Sequence, residues 1–176
     1  MLRRHPDERQ QYYLENMKGS SDHILSLVND LLDFQRLESG EMEVHSVPFR
    51  VPALFDEIYT SFQPIAEAKG LRFVLNLKPE ETGQVYMGDP IRIRQVVGNL
   101  LSNAIKFTEA GRVVLLVSLQ KLSAVHYQLS ITVSDSGPGI PKEEQERIFG
   151  EFTRLADTEE VEGFGLGLSI TRSFCP

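Results

Sequence analysis

Two side-chain amides one helical turn apart, Asn99 and Asn103, stand within the segment Asn99 to Thr108, and Lys106 follows them. Amide oxygens on one helix face are hard donors. They suit Mg²⁺, which takes few protein ligands and fills its remaining positions with water and phosphate oxygens. Lys106 is placed to neutralise a phosphate. Two glycine loops lie downstream, Asp135-Ser-Gly-Pro-Gly139 and Gly163-Phe-Gly-Leu-Gly167. Glycines let backbone approach a ligand closely, and a glycine loop feeding a helix N-terminus suits a phosphate by geometry and dipole. Together these features describe a site for a nucleotide and a divalent metal; none of them does so alone.

Each group needs an element to hold it. Asp89-Pro90 reads as an N-cap followed by proline at the first helical position, opening a helix to about Phe107. Ile93, Val97, Leu100, Leu101 and Ala104 form its apolar side. Arg92, Gln95, Asn99, Asn103 and Lys106 form a polar stripe at helical spacing. A solvated face is the plain alternative, but such faces are cheaply made of glutamate and lysine, and asparagine is a poor helix former. Further on, Val125, Tyr127, Leu129, Ile131 and Val133 alternate as one face of a strand, and Asp135 continues the phase. That alternation points a carboxylate toward the core side, where an unpaired charge is expensive. Asp135 is then either a hydrogen-bond acceptor at a pocket floor, for example for the exocyclic amine of adenine, or the cap of a turn after the strand has ended. The second glycine run leads into a helix from about Leu166 to Phe174, although spaced glycines also occur in close-packed turns. Between Pro141 and Glu162 lies a charged stretch containing Phe149, Phe152 and Arg154. Its length and polarity suit a mobile lid or an ordinary surface loop.

The remaining elements are simpler. From Asp7 to Ser39 the pattern is one long helix. Met17, Ile24 and Leu31 are seven apart, and so are Tyr13, Ser20, Leu27 and Phe34 at an offset. This heptad seam is widened by Leu14, Leu25, Val28 and Leu32, which suits a multi-helix bundle and pairing with another chain. Gly40 is a plausible end cap. An extended stretch to Pro52 precedes a helix to Lys69 with Leu54, Phe55, Ile58, Phe62 and Ile65 on one face, closed by Gly70. Strands are expected at Leu71 to Leu77, Gln84 to Met87 and Arg112 to Lys121, with a turn near Ser123. The order of elements lacks the regular alternation of a doubly wound sheet. It predicts an α+β fold, an α/β sandwich with helices on one face of a mixed sheet, preceded by a long bundle-forming helix.

Bulk properties narrow the function classes. The 176 residues are 41% hydrophobic and 24% charged, the profile of a soluble globular chain. A net charge of -7 argues against bulk nucleic-acid binding, yet a few local donors and a metal suffice for ATP. The single cysteine, Cys175, permits neither an internal disulfide nor a cysteine metal cluster. No apolar run reaches the roughly 20 residues of a membrane span, and the start lacks an apolar signal core. The expectation is a cytoplasmic fragment without direct membrane contact, which leaves room for a parent protein anchored in the inner membrane.

Four motifs, in order, resemble those of sensor histidine kinases of two-component systems. Gln95-Val-Val-Gly-Asn-Leu-Leu-Ser-Asn-Ala-Ile-Lys-Phe-Thr108 is similar to the N box. Asp135-Ser-Gly-Pro-Gly139 resembles the first glycine box, Ile148-Phe-Gly-Glu-Phe152 the F box, and Gly163-Phe-Gly-Leu-Gly-Leu168 the second glycine box. Leu31-Leu-Asp-Phe-Gln-Arg-Leu-Glu-Ser-Gly40 resembles the second helix of the dimerisation and histidine-phosphotransfer hairpin. The resemblance implies residues 1–46 as a partial dimerisation unit and 47–176 as a Bergerat-type ATP-binding catalytic domain. It implies Asn103 as the principal Mg²⁺ ligand with Asn99 assisting, and Lys106 on phosphate. Asp135 would meet the adenine amine, with Gly137, Gly139 and Ile140 at the pocket edge. Phe149, Phe152 and Arg154 would belong to the lid, and Gly163, Gly165, Leu166, Gly167 and Leu168 to the backbone that closes on the phosphates. Its partners would be ATP, a second copy through the N-terminal helix and, in the parent, a response-regulator receiver domain.

Three departures qualify the resemblance. None of His5, His23, His45 and His126 stands in the family's acceptor context of His-Glu or His-Asp followed by proline, so the phospho-accepting histidine is expected outside this chain. The family continues beyond its last glycine box, so the sheet is expected to lack edge strands. Phe164 occupies a place where the family carries a small hydroxyl residue. Alternative readings are a non-catalytic dimerisation module with an incomplete pocket, and another ATPase of the same fold.

Overall fold

A computed structural model describes residues 7–78, 84–150, 153 and 165–174. The long helix α1 spans Glu8–Glu38. Asp7 opens it with a reciprocal capping box: its Oδ1 accepts from the Gln10 N–H at 2.8 Å, and Gln10 Oε1 accepts from the Asp7 N–H at 3.1 Å. Gly40, at φ +69, closes it. The Gly40 N–H reaches the Leu37 carbonyl and the Glu41 N–H the Arg36 carbonyl, the two bonds of a Schellman motif. One stripe of α1 stays uncovered: Tyr13, Met17, Ile24 and Leu31 are all between 45% and 66% exposed. The side chain of Leu27, expected on that stripe, lies outside the described residues.

The remaining elements form an α+β body. Strand β1 (Val47–Phe49) pairs antiparallel with β3 (Tyr86–Gly88) as a small two-stranded sheet. Helix α2 runs Val51–Ala68 and ends in a second Schellman motif at Gly70, φ +73. Strand β2 (Arg72–Leu77) joins β4 (Arg112–Lys121) in parallel, and β4 pairs antiparallel with β5 (Tyr127–Asp135), giving the mixed order β2-β4-β5. Helix α3, Pro90–Phe107, is the crossover between the parallel strands.

Period-two alternation on β4 explains the layering. Val113, Leu115 and Val117 are fully buried, and they face a helical layer in which Val51, Phe55 and Ile58 of α2 meet Val97 and Leu101 of α3. Each such side chain contributes roughly 1.5–3 kcal/mol of burial. The expected apolar face of α2 holds for Leu54, Phe55 and Ile58, but Ile65 is 55% exposed. The next residue, Ala66, is fully buried in its place, four residues on from half-buried Phe62, so the core face turns past Ile65 onto Ala66. The second strand of the hairpin starts at Tyr127 rather than Val125. Val125 is 78% exposed in the turn that Ser123 Oγ organises by accepting from the His126 N–H at 3.1 Å.

Candidate functional site

Helix α3 is the axis of the site. Its N-terminus is fixed by Asp89, whose Oδ1 accepts from the N–H groups of Ile91 at 3.1 Å and Arg92 at 3.0 Å. The Oδ2 of Asp89 accepts from the His45 N–H at 2.9 Å, tying the segment after α1 to the same cap. Burial is the largest influence on this carboxyl and raises its pKa. The N–H donors of Arg92, His45 and Ile91, with the Arg92 guanidinium, outweigh burial and hold it below the ordinary 3.8.

Midway along α3, Asn99 Nδ2 donates to the Gly167 carbonyl at 3.1 Å. Gly167 begins helix α4, Gly167–Phe174, and a Cβ placed on it would sit 3.3 Å from Asn99 Cγ. Gly167, the last glycine of the second run, is thus held against the middle of α3 at a distance that a bare Cα satisfies best. Gly165 takes φ +73 just before it. Leu166 is buried and Leu168 half-buried, seating the start of α4 on the body. Asn103, one turn on, is half-buried. Lys106 is also half-buried, its ammonium 5.3 Å from the centre of the Phe107 ring. Lys69 Nζ caps the end of α3 by donating to the carbonyls of Ile105 at 2.8 Å and Lys106 at 2.6 Å.

The first glycine loop meets the other end of α3. Asp135 is the last residue of β5 and keeps the strand's phase, so the strand does not end before it. Its side chain is nevertheless exposed, at the end of the edge strand of the β2-β4-β5 sheet. Asp135 Oδ1 accepts from the Gly137 N–H at 2.8 Å. A Cβ at Gly137 would lie 2.8 Å from that oxygen and 3.0 Å from the Phe107 carbonyl. Gly139 takes φ +75 and Ile140 is 40% exposed at the rim. Ser136 fastens the loop to β4: its Oγ accepts from the Arg112 N–H at 3.0 Å and donates to the Ala110 carbonyl at 3.1 Å.

α3 therefore carries Asn99, Asn103 and Lys106 at helical spacing on one face, with Gly167 against Asn99 and Gly137 beside the Phe107 carbonyl. The two ends, Asn99 and Thr108, are about 14 Å apart along the helix at 1.5 Å per residue, a span that suits an extended nucleotide. Of the expected lid, residues 142–146 form turns and Arg147–Phe149 a 3-10 turn, with the Arg172 guanidinium 5.6 Å from the Phe149 ring centre. Phe152, Arg154, Gly163 and Phe164 lie outside the described residues. The donor set fits Mg²⁺ in kind: the oxygens of Asn99 and Asn103 are hard, and the Asn99 hydrogen bond uses its nitrogen and leaves its oxygen available.

The polar stripe is not uniform. Arg92 and Gln95 face α1 instead of the glycine loops, and both meet Asp33. No local signal marks Asp33 as their partner, since Gln95 lies 62 residues away. Thr108 and Lys69 were also silent in sequence. A helix-terminal lysine and a residue after a helix are too common to single out.

Comparison with known proteins bears on the whole of this arrangement. Residues 88–175 match the family described as histidine kinase-, DNA gyrase B-, and HSP90-like ATPase, and residues 1–40 match the His Kinase A (phospho-acceptor) domain. Over 166 residues the chain is 39% identical to signal transduction histidine-protein kinase BarA of Escherichia coli (strain K12) and 36% identical to sensor protein GacS of Pseudomonas syringae pv. syringae. In each case 93% of this chain is covered but only 18% of the relative, so the chain spans under a fifth of the relatives' length. Among solved structures, full-length ShkA in complex with AMPPNP superposes with a TM-score of 0.75 at 32% identity, covering 97% of this chain and 34% of that one.

Proposed function

Because the chain belongs to the histidine kinase-, DNA gyrase B-, and HSP90-like ATPase family, we propose that it is the ATP-binding catalytic part of a two-component sensor histidine kinase. The observation that carries the reading is the placement of two glycine loops at two points of one helix, one at Asn99 and one beyond Phe107.

In this reading Asp135 accepts from the adenine amine, and Gly137, Gly139 and Ile140 let the base lie against backbone. The first turn of α4 presents unpaired N–H groups to the phosphates after Gly163 and Gly165, with Leu166 and Leu168 anchoring that turn. Lys106 neutralises phosphate charge. Asn103 and Asn99 would hold Mg²⁺, which when bound supplies positive charge to the triphosphate. Phe149, Phe152 and Arg154 serve the segment that covers it. Asn99 and Lys106 thereby orient a γ-phosphoryl group, and positioning with electrostatic stabilisation is most of what such a transfer requires. In the whole protein the acceptor is a histidine outside these residues, and the phosphoryl then passes to a response-regulator receiver domain.

The uncovered stripe of α1 supports the companion proposal of a homodimer through residues 1–46. Contiguous apolar surface on this scale marks an interaction face. Body and helix then form two units, 1–46 and 47–176. None of the described helices is long and apolar enough to cross a membrane.

Calorimetric titration of the 176-residue chain with a non-hydrolysable ATP analogue and Mg²⁺ tests the pocket. Binding that Asn103→Ala weakens at least tenfold is the expected result. An absence of heat, or an Asn103→Ala variant that binds like the parent, overturns it. Sedimentation at several concentrations tests pairing, and Met17→Glu with Ile24→Glu should give a monomer.

A further inference from the structure

Thr108, which follows α3, is fully buried, and its hydroxyl oxygen has no hydrogen-bond partner among the described residues. An unpaired buried hydroxyl lowers stability, and native chains retain few such groups without a reason. The surroundings supply one. A Cβ placed on Gly137 would lie 3.4 Å from Thr108 Oγ1 and 2.8 Å from Asp135 Oδ1. The hydroxyl and the carboxylate therefore border the same small space, which glycine keeps clear. Asp135 Oδ1 already accepts from the Gly137 N–H at 2.8 Å, and a carboxylate has about four acceptor positions, so capacity remains.

We propose that Thr108 is a positioning residue for Asp135, its hydroxyl donating to the carboxylate when that carboxylate accepts from the base of a bound nucleotide. The inference rests on the nucleotide-pocket reading above. In the free protein Asp135 is exposed and water satisfies it. A bound base displaces that water, and a carboxylate stripped of water needs replacement donors. The Gly137 N–H is one; the Thr108 hydroxyl borders the same space and has no other partner among the described residues. A hydroxyl-to-carboxylate bond is charge-assisted and stronger than a neutral one, so the pair forms to most advantage once ligand has excluded solvent. The hydroxyl is thus a liability in the free protein and a support in the complex. It also sharpens selection, because a carboxylate held in one orientation favours a base presenting an amine over one presenting a carbonyl at the same edge.

The test uses Thr108→Val and Thr108→Ser in the 176-residue chain. It combines thermal unfolding without nucleotide and calorimetric titration with non-hydrolysable ATP and GTP analogues in the presence of Mg²⁺. Valine should raise the Tm of the free protein by about 2–4 °C, weaken the ATP analogue by about fivefold to tenfold, and narrow the preference for ATP over GTP. Serine, which keeps the hydroxyl, should bind within about twofold of the parent. A valine variant that binds as tightly and as selectively as the parent overturns the proposal, as does one whose free form loses stability. Thr108→Ala, which removes the hydroxyl without valine's second methyl, should weaken the ATP analogue by a similar factor, and parent-like affinity there overturns the proposal equally. If the parent chain binds no nucleotide, the pocket reading itself falls and takes this inference with it.

Discussion

Arg92 of α3 and Asp33 of α1 form an ion pair at 3.0 Å, with only 19% and 15% of their side chains exposed. Gln95 Nε2 holds the second carboxylate oxygen of Asp33 at 2.7 Å, and Arg92 Nη1 also donates to Gln95 Oε1 at 2.8 Å. The same guanidinium lies 5.4 Å from the Phe174 ring centre in α4. One arginine thus ties the long helix, the axial helix and the helix after the second glycine loop together.

Removing Asp33 should strand a mostly buried guanidinium. Asp33→Ala is expected to cost about 2 kcal/mol, below the roughly 3–5 kcal/mol of a fully enclosed pair because some solvent reaches this one. Arg92→Met should cost less than the sum of its parts when combined with Asp33→Ala, with a coupling of about 1 kcal/mol in a double-mutant cycle by urea unfolding. Strictly additive effects would mean that the two side chains do not act on each other.

The contact between Asn99 and Gly167 should matter more for ligand than for fold. The Gly167 carbonyl also accepts from Thr171 Oγ1 at 2.8 Å, so Asn99→Ala leaves that carbonyl satisfied and should cost only about 0.5–1 kcal/mol of stability. Nucleotide affinity should fall at least tenfold. Gly167→Ala should weaken binding by a similar factor, since its Cβ would press on Asn99 at 3.3 Å. Titration calorimetry beside thermal melts separates the two quantities, and a large loss of Tm with unchanged affinity would contradict the assignment.

Gly137→Ala should be the most damaging single change at the first glycine loop. Its Cβ would meet the Asp135 carboxylate at 2.8 Å and the backbone carbonyl of Phe107 at 3.0 Å, and the latter cannot swing aside. Overpacking of this kind costs about 1–3 kcal/mol, and displacement of Asp135 should abolish preference for adenine. Gly139→Ala meets nothing within 4 Å but takes φ +75, so its penalty should be purely conformational and milder. Paired unfolding and binding curves for the two variants would show whether that order holds.

Acid should expose the cap at Asp89. Its carboxyl is held below the ordinary 3.8 in the folded chain, so the unfolded state binds its proton first as pH falls. The stabilisation is complete above the unfolded value and disappears as pH drops through the folded one, which places the loss below about pH 4. Asp89→Asn retains a capping oxygen but no titration, and its unfolding free energy should change less steeply between pH 4 and pH 2.5 in urea melts. Parallel curves for the two proteins would remove Asp89 from the acid response.

What the sequence disclosed were features written in local chemistry. Asp89-Pro90 announces the start of α3 because capping needs only neighbours, and Gly40 and Gly70 mark helix ends because their backbone takes positive φ. The alternation on β4 predicts its buried face for the same reason. Features decided by distant partners were silent. Asp135 follows the inward phase of β5 yet stands exposed, since alternation does not tell which strand is the edge of the sheet. Ile65 shares the apolar spacing of α2 yet stands exposed, because Ala66 takes the buried position beside it. Arg92 and Gln95 share a stripe with Asn99 and Asn103, and only the seating of α1 shows that the stripe divides between a contact with Asp33 and a contact with Gly167.

The Schellman end of α1 at Gly40 and the grip of Asp89 on the His45 N–H have a mechanical meaning. They leave a leash of five Cα steps between a rigid rod and a rigid body, roughly 17 Å when taut at about 3.3–3.6 Å per residue. With the Asp33–Arg92 clasp open, the body can travel no farther than this leash from the rod's end. If the chain is the kinase part proposed above, the height along a neighbouring helix at which a phosphoryl group is delivered would follow linker length, and inserting or deleting residues between Glu41 and Val44 should move that height while leaving nucleotide affinity untouched.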